Sequence, residues 1–158
     1  MTRSVIVDAG PLVAALAPRD AAHRWATERL KELAPPFLVC EPVLVEAAYL
    51  LRRYPGSTDR ILSLVGSGFL RLGYPMESDV EALRALMRKY ADQPMSLADA
   101  CVVRMAELFD DHAVLWIGTC YAPMRISGRV VGASMKQRVG EWGRGPGSGL
   151  KRAASGER

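Results

Sequence analysis

Three acidic side chains stand out by their surroundings. Asp8 ends the apolar run Val5-Ile6-Val7 and is followed by Gly10-Pro11, so a carboxylate sits where a buried strand stops. Glu46 is the only charge between Val43 and Leu51, and helical spacing sets it near Val43 and Leu50, on or beside the apolar face. Asp99 lies in Ser96-Leu97-Ala98-Asp99-Ala100, three residues after a serine, which is the spacing of a capping box. Each has an ordinary reading: Asp8 as N-cap of the helix that Pro11 opens, Glu46 as a solvated flank, Asp99 as the capping-box partner of Ser96, and the last is compatible with Asp99 also facing a cavity lined by Ala98 and Ala100. Glu41, at a helix entrance before Pro42, simply favours the helix dipole. Gathered in one place, however, three carboxylates from three separated segments repel one another and require a cation. A hard divalent ion such as magnesium takes oxygen ligands and bridges to phosphate, so the implied chemistry is metal-assisted phosphoryl transfer or phosphodiester hydrolysis.

Other chemistries find less support. Cys40, Cys101 and Cys120 are odd in number, far apart and without C-x-x-C spacing, which points away from a disulfide framework or a zinc site and reads as small buried hydrophobes. His23 and His112 lie in different regions with no clustering. No apolar stretch approaches the ~20 residues that cross a bilayer, so the expectation is a soluble, cytoplasmic chain. The net charge of +4 is unevenly distributed: residues 1–116 carry 13 Lys/Arg against 15 Asp/Glu, and residues 117–158 carry 8 against 2. The basicity therefore belongs to the tail and says little about the folded body.

The elements that must position the acids follow from periodicity and punctuation. Strands are expected at Val5 to Val7, Phe37 to Cys40, Phe69 to Leu72 and His112 to Ile117. Helices are expected from Pro11 through Ala17 and over Ala21 to Leu33, Val43 to Arg53, Thr58 to Val65, Glu77 to Tyr90 and Ser96 to Phe109. Strands alternating with helices predict an α/β fold, a parallel sheet covered by helices, whose ligands gather at the carboxyl ends of the strands. Asp8 sits at such an end.

With those stretches in view, the sequence resembles the PIN domain, in its VapC-like toxin branch. The matching segments are Val5 to Ala17, Cys40 to Arg53 and Ala91 to Leu108, and the likeness covers residues 3–116. It implies a PIN-like three-layer α/β fold with a central parallel sheet of four to five strands, a domain over residues 1–139, and a Mg²⁺- or Mn²⁺-dependent endoribonuclease. Asp8 and Asp99 would bind the metal directly, Glu46 directly or through water, and Ser96 would support Asp99 from behind. The resemblance further implies an RNA substrate, a homodimer and a small antitoxin whose C-terminal segment covers the acidic cleft.

One departure bears on activity. Where family members carry a further acid after the last strand of this region, this chain has Gly118 and Cys120, neither of which offers a hard oxygen side chain. The alternative is a catalytically impaired PIN-fold domain that binds RNA or a protein. A lesser alternative, a haloacid-dehalogenase-like phosphatase, lacks the second acid two residues after the first, where Gly10 stands. Beyond Gly118 the chain turns glycine-rich and basic, so residues 140–158 read as a disordered, solvated tail, and the segment from about Ile117 as the product of a reading-frame change.

Overall fold

The computed structural model describes residues 4–109, 112–117 and the backbone of 129–133. The expected tail at 140–158 and the positions Gly118 and Cys120 lie outside the described residues. Five strands, β1 (Ser4–Val7), β2 (Phe37–Val39), β3 (Leu70–Leu72), β4 (His112–Ile117) and β5 (Arg129–Ala133), form one sheet in the order β3-β2-β1-β4-β5. Every neighbouring pair is parallel. Six helices flank it: α1 (Ala9–Leu16), α2 (His23–Glu32), α3 (Glu41–Leu50), α4 (Ser57–Gly66), α5 (Val80–Lys89) and α6 (Leu97–Leu108). This is the expected α/β architecture. The fifth strand had no sequence assignment, because Arg129-Val130-Val131-Gly132-Ala133 is short and lies within a glycine-rich stretch.

Strand β1 occupies the centre because it is apolar on both faces. Val5, Ile6 and Val7 are buried, with Phe37, Val39, Val114 and Leu115 beside them on the adjoining strands. The chain runs outward from β1 to β3 and then returns to β4 on the other side of β1, so the connections diverge at the carboxyl end of the central strand. That divergence opens a crevice in parallel sheets. Phe37, at the start of β2, and Phe69, just before β3, meet edge to face at 5.0 Å.

Three helix boundaries depart from the sequence expectation for local reasons. The helix expected from Ala21 begins at His23, because Asp20 Oδ1 accepts from the Ala22 N–H at 2.7 Å and holds a turn there. The helix expected to reach Arg53 ends at Leu50, where the Tyr49 carbonyl accepts from the Arg52 guanidinium at 2.8 Å. The helix expected from Glu77 begins as a single 3-10 turn, Met76–Asp79, before α5. Its Asp79 carboxylate is drawn away to the Tyr74 hydroxyl at 2.7 Å and to Arg104 on α6, whose Nε and a terminal nitrogen donate at 2.7 and 2.9 Å.

This Asp79–Arg104 pair ties the turn before α5 to α6, the helix that carries Asp99. Both side chains are largely buried, 17% and 18% exposed, and the guanidinium holds the Asp79 carboxyl below its ordinary 3.8. A depressed carboxyl stabilises the native state above its unfolded pKa, and that contribution is lost as pH falls through the native value. Arg104→Ala is therefore expected to destabilise the protein by about 2–3 kcal/mol at pH 7 in urea unfolding. The deficit should shrink as pH falls below 3.8.

Candidate active site

Asp8 is the first residue past β1. Its N–H donates to the Leu115 carbonyl at 3.0 Å, extending the β1–β4 ladder by one bond, and its Oδ1 accepts from the Ala9 N–H at 2.7 Å as the N-cap of α1. The capping reading is thus correct, and it also fixes the carboxylate, only 8% exposed, at the carboxyl end of the central strand. Gly10 makes this approach possible. A Cβ there would stand 3.0 Å from the Ile117 carbonyl oxygen and 3.3 Å from the Ile117 Cβ, so the first turn of α1 lies tight against the end of β4. The same crowding leaves no room at this position for the second acid of a dehalogenase-like phosphatase.

Asp99 enters from α6. Despite its short side chain it completes the reciprocal capping box: the Asp99 N–H donates to Ser96 Oγ at 3.1 Å, and the Ser96 N–H donates to Asp99 Oδ2 at 2.8 Å. Ser96 therefore fixes the orientation of a carboxylate that is 8% exposed. The flanking Ala98 and Ala100 pack into the core instead of lining a cavity, since α6 is buried on nearly every side.

Glu46 comes from α3, which packs against α6. Ser96 Oγ donates to Glu46 Oε2 across a long 3.5 Å, so one hydroxyl touches both acids although Glu46 is 50 residues away in the chain. Burial raises the Glu46 pKa above its ordinary 4.5, the negative charge of Asp99 raises it further, and the Ser96 hydrogen bond opposes both. The structure thus joins Glu46, Ser96 and Asp99 in one cluster. Asp8 lies at the end of β1, a strand that α6 packs against. Among the described residues, no three acid, histidine or cysteine side chains stand close enough together to share an ion. The donor chemistry nonetheless suits a hard divalent cation, because the nearest pair are oxygen donors whose charges disfavour each other.

Cys40, the N-cap of α3, and Cys101, in the second turn of α6, are fully buried. The neighbouring Cys101 thiol and then burial push the Cys40 thiol up, and both side chains fill the hydrophobic role expected of them. Glu41 lies exposed in the first turn of α3 and takes no part. Sequence reasoning missed the tight seat of Gly10 against β4. Gly10 reads as a strand breaker, and only the β1–β4 pairing reveals what it abuts.

A carboxyl group with a raised native pKa binds its proton more readily when folded, so its contribution to stability is full below the unfolded pKa and is lost as pH rises through the native value. In chelator, Glu46→Gln is therefore expected to melt at a higher temperature than the parent at pH 7. The two melting curves should converge below pH 4.5, as followed by circular dichroism.

No protein-family model matches the chain, and no curated protein matches it. Among solved structures it is similar to the crystal structure of Mycobacterium tuberculosis VapC20, a toxin that cleaves the sarcin–ricin loop. The likeness has a TM-score of 0.62 at 22% identity and covers 70% of this chain and 87% of that one. The chain has the VapC-like fold of a PIN domain.

Proposed function

We propose that this protein is a divalent-metal-dependent endoribonuclease, the toxin of a type II toxin–antitoxin pair. The observation that carries the reading is the Glu46–Ser96–Asp99 cluster, with Asp8 anchored at the carboxyl end of the central strand of a VapC-like fold. Asp8, Glu46 and Asp99 are the residues to hold Mg²⁺ or Mn²⁺. Once bound, such an ion supplies positive charge against the phosphate and acidifies a water. The chain's own groups do the rest. The Ala9 N–H and the Ser96 N–H hold Asp8 and Asp99 in fixed orientations, so neither carboxylate reorganises during the reaction. Glu46, steadied by Ser96 Oγ, would hold the ion directly or through a water. A small antitoxin is the proposed silencing partner, two copies of the chain the proposed assembly, and the cytoplasm the proposed compartment. No helix among the described residues is long and apolar enough to cross a membrane.

A second reading, an impaired PIN domain that binds RNA without cutting it, is favoured by Gly118 and Cys120, which supply no carboxylate. Cleavage of labelled RNA in magnesium, and in manganese, separates the two. The nuclease reading predicts cleavage that chelator stops, that Asp8→Asn abolishes and that Ser96→Ala slows by about 10–100-fold. Binding without any metal-dependent cleavage would support the impaired domain. Light scattering on the purified chain is expected to give twice the chain mass.

A further inference from the structure

The aromatic ring of Tyr49 has an unusual setting. It lies on α3 three residues after Glu46, one turn further along, about 4.5 Å on the helix axis. It is 62% exposed, and the Arg52 guanidinium lies over it, 4.1 Å from the ring centroid. Arg52 is pinned there by its hydrogen bond to the Tyr49 carbonyl. Neither Arg52 nor its exposed neighbours Arg53 and Arg60 has a carboxylate within ion-pair distance among the described residues. An unburied aromatic ring three residues from Glu46 and three guanidinium groups without an ion pair among the described residues thus lie on α3, just past its end and in the first turn of α4. Residues 1–116 carry more acid than base, so an anionic polymer must be held by local patches of this kind and not by the overall field.

From this juxtaposition we propose that Tyr49 and Arg52 form the substrate-binding platform beside the cleft. One unstacked RNA base stacks on the Tyr49 ring, and Arg52, with Arg53, meets the adjoining phosphates. The inference rests on the ribonuclease reading for the role of the platform, but not for its affinity. Stacking on an aromatic face is open to every base and suits single-stranded RNA, whose bases are free to turn outward. Val45 and Leu50 are also exposed on this helix, which raises a second copy of the chain as the rival occupant. Charge favours RNA: Arg52, Arg53 and Arg60 have no carboxylate within ion-pair distance among the described residues, and a polyanion supplies the charge they lack.

The test uses the full chain in an Asp8→Asn background, without divalent ions, and a fluorescent single-stranded RNA of mixed sequence read by anisotropy. Tyr49→Ala is expected to weaken binding by about tenfold while Tyr49→Phe retains it, and Arg52→Ala to reduce the salt slope of log affinity by about 0.7. In the otherwise unsubstituted chain, Tyr49→Ala should raise KM and leave kcat in place. Affinity unchanged by Tyr49→Ala, or a loss of the double chain mass in light scattering, would overturn the platform. Were the unsubstituted chain to cut no RNA in magnesium while Tyr49-dependent binding persisted, the hydrolytic reading would fall and the platform would stand.

Discussion

The structure turns on the crowding of two like charges. Glu46 and Asp99 arrive from α3 and α6, far apart in sequence, and meet across one serine hydroxyl, in surroundings where burial already disfavours the ionised form of Glu46. A fold does not gather buried carboxylates without cost, since each must be solvated by donors, neutralised by a proton or met by a cation. Among the described residues, the Ser96 N–H donates to the Asp99 carboxylate and the Ser96 hydroxyl to that of Glu46. What remains is a demand for positive charge, and the proposed chemistry follows from it.

The rest of the molecule makes that crowding possible. Parallel strands buried on both faces place the end of β1 at the point where the connections diverge, so Asp8 is carried to the rim by the core's own packing. Gly10 lets α1 close against β4, and the Asp79–Arg104 pair anchors α6 at a distance from the cluster. The acids are thus held by a cap, a capping box and a buried ion pair, each anchored in regular structure. That is the rigidity a preorganised site requires.

Much of this was legible in the sequence. The run Val5-Ile6-Val7-Asp8 announced a buried strand ending in a carboxylate, and Ser96 with Asp99 announced a cap, because both signals are local and depend on a few adjacent residues. Glu46 was visible only as a charge out of place in an apolar helix. Its meeting with Ser96 is a long-range contact that no periodicity encodes. The same limit applies to Gly10, whose neighbour is 107 positions away at Ile117, and to the 3-10 turn before α5, which exists because Arg104 draws Asp79 aside. Strand β5 escaped for a different reason, as it is short and lies within a glycine-rich stretch.

The proposed activity rests on a divalent ion that answers the repulsion between Glu46 and Asp99 and takes Asp8 as a further ligand. The most direct measurement is anomalous diffraction at the manganese edge from a crystal of the full chain soaked in Mn²⁺. The account predicts a single strong peak with oxygens of Asp8 and Asp99 in its coordination shell and Glu46 bound directly or through one water. A site without a peak, with the three carboxylates turned into separate salt links, would contradict it.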